Sequence, residues 1–198
     1  MPRSVFTPHS LFLTRGTGTH REKLASFELA LREAGIECYN LVSVSSILPP
    51  RCEFVELADG TGLLQPGQVV PVVMARSDSN VPGTLVSSGV GVAVPRNRDH
   101  YGYLSEHHAT DMGEQVMEDY VEDLAAEMLA TTYGIEFDPD ASWDEKREIW
   151  SIDNRIVRTR SVNQVATVGE NGSWTTPVAA AVLVLCREPL NTGSTSTR

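Results

Sequence analysis

Asn40-Leu-Val-Ser-Val-Ser-Ser-Ile-Leu-Pro-Pro50 is the stretch on which the reading of this 198-residue chain turns. Leu41, Val42 and Val44 are strand-type residues; Ser45 and Ser46 follow, and Ile47-Leu48 lead into Pro49-Pro50, which cannot extend a central strand. An apolar strand therefore ends on two adjacent hydroxyls. Two readings stand side by side. Serines at strand ends commonly bond to nearby backbone. Alternatively, the Ser46 hydroxyl attacks the carbonyl of Ser45, which requires a strained peptide and donors for the developing oxyanion.

Upstream, Ser10 to Thr14 reads as a short strand running into Arg15-Gly-Thr-Gly-Thr19. Position 21 is Arg, so the third glycine of a dinucleotide loop is missing and nucleotide binding is rejected. Thr19 and Glu22 have capping-box spacing, and Leu24, Phe27, Leu31 and Ala34 recur at helical spacing before Gly35, so residues 20 to 34 are expected as an amphipathic helix. Glu28 lies at the margin of that apolar face, where an ordinary helix glutamate is solvated.

Downstream, Cys52 to Leu57 continues as strand, and Asp59-Gly-Thr-Gly62 and Pro66-Gly67 are turns. Val69 to Ala75 and Leu85 to Val94 are β-branched runs, with a hairpin or a sheet crossing at Asn80-Val-Pro-Gly83. Gly89 and Gly91 inside the second run call for the close approach of another backbone or of a ligand. Asp99 to His108 is polar and aromatic. Its Glu106, His107 and His108 are consecutive, so on a strand they alternate faces, and no H-E-x-x-H spacing is present, which argues against a metal.

A second helix starts near Asp111 and Glu114, carries the stripe Met117, Tyr120, Val121, Leu124 and Met128, and ends at Gly134. Phe137 to Trp150 is irregular, with a short helix at Trp143 to Trp150. Ile156 to Thr167 and Trp174 to Leu185 are expected as strands joined by a tight turn at Asn171-Gly172. The element order is α+β rather than repeated βαβ. Length and a hydrophobic content of 41% fit one domain over residues 1–190, with Asn191 to Arg198 a mobile polar tail.

Sixteen Lys and Arg against 26 Asp and Glu give a formal charge of -10, which excludes a nucleic-acid or anionic-membrane partner and is compatible with a cationic substrate. No stretch is long and apolar enough to span a bilayer, and the N-terminus lacks an apolar signal core, so a cytoplasmic location is expected. Cys38, Cys52 and Cys186 are widely spaced and form neither a disulfide framework nor a zinc knuckle.

The eleven positions from Asn40 to Pro50 resemble the processing-site signature of pyruvoyl-dependent arginine decarboxylases. Arg15-Gly-Thr-Gly-Thr-His20 with Ser26-Phe-Glu-x-Ala-Leu-Arg-x-Ala-Gly-Ile36, and Gly89-Val-Gly-Val-Ala-Val-Pro95 with Tyr103-Leu-Ser-Glu106, are similar to the same family in the same order. The resemblance covers about residues 11 to 185. It implies a four-layer α-β-β-α sandwich, assembly as a trimer or a multiple of trimers, and active sites at subunit interfaces. It implies cleavage between Ser45 and Ser46 into a β chain of residues 1–45 and an α chain of residues 46–198 whose Ser46 becomes a pyruvoyl group. That group replaces pyridoxal phosphate, forms a Schiff base with L-arginine, and yields agmatine and carbon dioxide; no metal takes part. By the same resemblance Glu106 is the proton donor, which requires a poorly solvated carboxyl; Glu28 holds the guanidinium; and Asn40 supports the site. Two other functions stay open on the residues themselves: a pyruvoyl decarboxylase of another amino acid, and a non-cleaving oligomeric binding protein.

Overall fold

Glycines and small residues set how closely helix and sheet approach in this fold. The computed structural model describes residues 6–134 and 156–185. Strand β1 (Pro8–His20) is longer than expected: it continues through Arg15-Gly-Thr-Gly-Thr19, which is strand and not loop. A Cβ on Gly16 or Gly18 would collide with the backbone of helix α1 (Lys23–Glu33), at the Ala30 and Ser26 carbonyl oxygens respectively. The two glycines thus admit the helix rather than a phosphate.

That close approach corrects the expected helix face. Ser26 and Ala30 are the fully buried positions, whereas Leu24 is 77% exposed, because only small side chains fit over the glycine strand. The Thr19/Glu22 capping box is also absent. Glu22 is the N-cap without a side-chain bond, and its N–H is accepted by His20 Nδ1 at 3.0 Å. Gly35, at φ +71°, follows the helix, as its position predicted.

The remaining elements are β2 (Asn40–Ser43), β3 (Ile47–Leu48), β4 (Glu53–Phe54), α2 (Leu57–Gly62), β5 (Val69–Arg76), β6 (Leu85–Pro95), β7 (Gly102–Thr110), α3 (Glu114–Thr131), β8 (Ile156–Thr167) and β9 (Trp174–Leu185). The expected strand from Cys52 to Leu57 is thus cut to two residues. The turn expected at Asp59-Gly-Thr-Gly62 is instead part of α2, whose Gly60 lets the Phe12 ring lie against the helix.

The mixture is α+β. One sheet has the order β2-β5-β9-β1-β4 and the other β3-β7-β6-β8. Leu11, Val73, Ala75, Ala179, Ala181 and Leu183 of the first sheet form one core cluster with Val90, Val92, Val94 and Leu104 of the second. Phe12, Val70, Val72, Ala180, Val182 and Val184, on the opposite face of the first sheet, cluster with Ala34 and Ile36 at the end of α1. Ala93, on the opposite face of the second, clusters with Ala125, Ala126 and Leu129 of α3. Burying these faces is the dominant favourable contribution to the fold, about 25 cal/mol per Å² of apolar surface.

Helix α3 buries Met117, Val121, Ala125, Ala126, Leu129 and Ala130, while Tyr120 of the expected stripe is 43% exposed. Its approach explains Gly89 and Gly91. A Cβ on Gly89 would lie 2.8 Å from Met117 Cγ and Sδ, and one on Gly91 would strike the Val121 carbonyl. Helix α3, through the Met117 side chain at Gly89 and its own backbone at Gly91, takes that space.

Among the described residues four connections pass between the sheets. The one at Asn80 to Gly83 is a crossing from β5 to β6, as one of the two expected readings had it. The Asn171-Gly172 turn corrects an expectation: β8 pairs with β6 and β9 with β1 and β5, so this turn joins two sheets and is not a hairpin. No helix among the described residues is long and apolar enough to cross a membrane. The irregular segment Phe137 to Trp150 with its short helix, Cys186 and the tail from Asn191 lie outside the described residues.

Candidate active site

The stretch from Asn40 to Pro50 is not one strand. Asn40–Ser43 runs parallel to β5 at the edge of the first sheet, and Ile47–Leu48 runs antiparallel to β7 at the edge of the second. Val44, Ser45 and Ser46 are the entire bridge between them. The two prolines then turn the chain out of the second sheet after only two residues of pairing, with Arg51 in the left-handed region at φ 57°.

Main-chain hydrogen bonds hold the bridge on both sides. The Val44 N–H donates to the Val72 carbonyl at 3.1 Å, tying the N-terminal side to β5. The Leu104 N–H donates to the Ser46 carbonyl at 2.8 Å, tying the C-terminal side to β7. Between them the Ile47 N–H donates to the Ser45 carbonyl, also at 2.8 Å. Ser45 is exposed and Ser46 half-buried. Among the described residues, the hydrogen bonds at this bridge come from main-chain N–H groups.

Strand β7 brings Glu106 to the same end of the fold. It lies two residues beyond Leu104, roughly 7 Å along the strand, and on the same face, the one turned toward the first sheet. His107 points the other way. Its ring packs on Tyr120 of α3 with centroids 4.3 Å apart. Burial against the helix lowers its pKa from the ordinary value, and the neighbouring His108 lowers it further. Ser105, on the face of His107, donates to the Val121 carbonyl at 2.5 Å and so fixes β7 under α3. Glu106 itself is exposed in the single chain, where the resemblance calls for a poorly solvated carboxyl.

Glu28 and Asn40 are not brought to Glu106. Glu28 sits on α1 over the far face of the first sheet, paired with Arg32 one turn along the helix, and its side chain is 45% exposed. Asn40 begins β2, about 20 Å of extended chain from Ser46; its Nδ2 donates to the Gly67 carbonyl at 2.7 Å and its N–H to the Gln68 carbonyl. It fixes where the strand starts. The donors on Ile47 and Leu104 went unnoticed in the sequence because every residue but proline carries an N–H, and only the fold aims it.

Among the described residues no group of three or more His, Cys, Asp or Glu side chains is gathered as a metal site. The arrangement offers a hydroxyl beside a peptide carbonyl that already accepts a hydrogen bond, and a carboxyl on the adjoining strand. Comparison with known proteins agrees in kind. The family profile described as pyruvoyl-dependent arginine decarboxylase matches residues 10–188. "Pyruvoyl-dependent arginine decarboxylase 2" of Methanosarcina acetivorans is 52% identical over 177 residues, covering 89% of this chain and 97% of that protein. The protein of the same name from Methanosarcina mazei is 51% identical over the same span, with the same coverage. The chain belongs to the pyruvoyl-dependent arginine decarboxylase family.

Proposed function

We propose that this chain is a self-processing decarboxylase that converts L-arginine to agmatine and carbon dioxide with a pyruvoyl group made from Ser46. The observation that carries the proposal is the Ser45–Ser46 peptide suspended between two sheet edges and held from both. The residues fit the group. After a cut at this bond, Val44 stays tied to Val72, and Ser46 stays tied to Leu104 through its own carbonyl, so the new end keeps its place. The pyruvoyl group supplies a ketone next to an amide carbonyl, which together draw electrons from a bound amino acid as carbon dioxide leaves.

The rest of the chemistry falls to side chains. Glu106 gives a proton to the α-carbon. Glu28 exchanges Arg32 for the substrate guanidinium, a planar donor suited to a carboxylate. Asn40 supports the site indirectly, by anchoring the start of β2 to Gly67.

Glu28 and Glu106 lie on different layers of one chain, so they meet across an interface between copies, and a second copy also supplies the missing burial of Glu106. Val42, Val44 and Ile47, at 47%, 38% and 38% exposure, give the two open edges beside the bridge an apolar surface that suits such a contact. The assembly is a trimer or a multiple of trimers, built from a four-layer α-β-β-α sandwich. That sandwich is a single domain over residues 1–190 with a polar tail at 191–198, and it works in the cytoplasm.

The test is an intact-mass spectrum of the purified chain together with carbon dioxide release from a panel of amino acids. Fragments 1–45 and 46–198 are expected, the larger lighter by one ammonia than a chain starting with serine, with release from arginine. A single uncleaved chain after long incubation would return the bland reading of the serines. Cleavage with release from a different amino acid would leave the processing in place and reassign the substrate.

A further inference from the structure

We infer that the main-chain N–H of Ile47 is the oxyanion donor of self-cleavage, an inference that rests on the processing reading above. In the pairing of β3 with β7, Ile47 stands opposite Tyr103, and the Leu104 N–H takes the carbonyl of Ser46. That is the position of an antiparallel ladder at which a residue's own N–H points away from its partner strand. Since β3 is the edge of its sheet, no further strand among the described residues lies on that side to accept it. The N–H turns back instead to the Ser45 carbonyl at 2.8 Å, closing a three-residue turn with Ser46 at its centre. The donor therefore sits on the carbonyl to be attacked before any attack begins.

The step balances without a co-reactant. As Ser46 Oγ bonds to the Ser45 carbonyl carbon, the π pair moves onto the oxygen. The Ile47 hydrogen bond then has an anion to hold and becomes charge-assisted. Collapse breaks the bond between that carbon and the Ser46 nitrogen, which receives the proton given up by Oγ, leaving an ester and a free amine. A donor already in position needs no reorganisation as charge develops, which is where such groups gain their effect. Loss of a single donor in a buried oxyanion hole costs about 100- to 1000-fold. Ser45 is exposed in the single chain, so the smaller loss of at least about tenfold is expected here.

The experiment replaces Ile47 in the full chain by the α-hydroxy acid with the same side chain, which removes the N–H and also weakens the Ser46 carbonyl as acceptor for Leu104, and follows fragment 1–45 by intact mass. The same replacement at Leu104, which loses that second bond and leaves the Ile47 N–H, is the control and should process faster than the Ile47 chain. Wild type made in the same cell-free translation is the reference. Hydrolysis at the introduced ester would give fragment 1–46 and is separable by mass. Processing slowed at least about tenfold in a chain that matches wild type in thermal melting and assembly is the expected result; processing at the wild-type rate overturns the inference. If the ester chain does not fold, deuterium exchange at the Ile47 amide of the uncleavable Ser46→Ala chain decides. A protected amide upholds the hydrogen bond, and exchange at the rate of an unstructured peptide overturns it. A wild-type chain that never releases fragment 1–45 would instead bring down the processing reading itself.

Discussion

The chain crosses between its sheets at 44–46 and again at 168–173, and it does so by opposite means. The first crossing has three residues: the path from Ser43 to Ile47 reaches at most about 14 Å, against a spacing of about 10 Å between packed sheets. The second has six residues and a reach of roughly 24 Å. Val168 at its start is tied to Gly83 and Thr84; beyond it the loop satisfies itself locally, with the Gly172 N–H on the Gly169 carbonyl, the Ser173 N–H on Asn171 Oδ1, and Gly172 at φ +64°. The short crossing has little slack and no glycine, and the strands on either side hold it. Geometry imposed from outside keeps one peptide in one place, and a loop that closes on itself carries no such constraint.

The sharpest way to break this comparison is to remove the hydroxyl and leave the crossing alone. Ser46→Ala keeps the three backbone hydrogen bonds but has no Oγ, so cleavage should be absent and no decarboxylation should follow. Intact mass after prolonged incubation checks it. Fragment 1–45 from this variant would move the nucleophile elsewhere.

Next in size is Glu106→Gln, which separates making the cofactor from using it. The carboxyl belongs to β7 and not to the crossing, so processing should be complete by mass while turnover falls at least about a hundredfold, the usual loss for a positioned general acid. Agmatine formation by the processed variant is the measurement. Near-normal turnover would assign the proton to another group.

Smaller again is the effect of slack. One glycine inserted between Val44 and Ser45 should slow processing by about tenfold, since Val44 and Ser46 are then no longer both held in register with the peptide between them. The same insertion between Gly169 and Glu170 should leave processing unchanged, because that loop has length to spare. Equal slowing in both would mean that overall stability, not the taut crossing, sets the rate. Mass spectra of the two chains over a time course, with melting curves alongside, decide it.

Much of the fold was legible before the structure, and the failures share a cause. The runs at 69–75, 85–94, 156–167 and 174–185 are strands because their β-branched residues suit a pleated surface, and that preference is local. Which sheet each strand joins is not local. Asn171-Gly172 has the chemistry of a hairpin, yet it joins strands in different sheets, because the core faces choose the partners. The helix face around Leu24 departs from its apolar spacing for a related reason: Gly16 and Gly18 lower the helix onto the strand, so small Ser26 and Ala30 meet the sheet. The candidate site divides along the same line. Ser45, Ser46 and Glu106 were readable as residue types in a motif, whereas the donors on Ile47 and Leu104 exist only as directions in space.

The smallest effect distinguishes the two faces of β7 beside the taut crossing. Glu106 faces the first sheet and His107 faces α3, so a neutral replacement of His107 should act on stability rather than on the site. Burial holds the His107 pKa below its ordinary 6.5, with His108 adding in the same direction. Between that lowered value and 6.5 the unfolded chain binds more protons than the folded one. The stability contribution is therefore in place above about pH 6.5 and is lost as pH falls through the folded value. His107→Gln does not titrate there, so its stability should fall less on acidification than that of wild type. The difference should stay below about 1 kcal/mol, because solvent reaches much of the ring. Urea unfolding of the uncleavable Ser46→Ala chain, with and without His107→Gln, at pH 7.5 and 5.5 supplies the comparison. An identical loss in both chains would place the acid-sensitive group elsewhere. A His107→Gln chain that folds and processes normally but loses turnover as Glu106→Gln does would put the imidazole in the reaction, and the division between the two faces of β7 would fail.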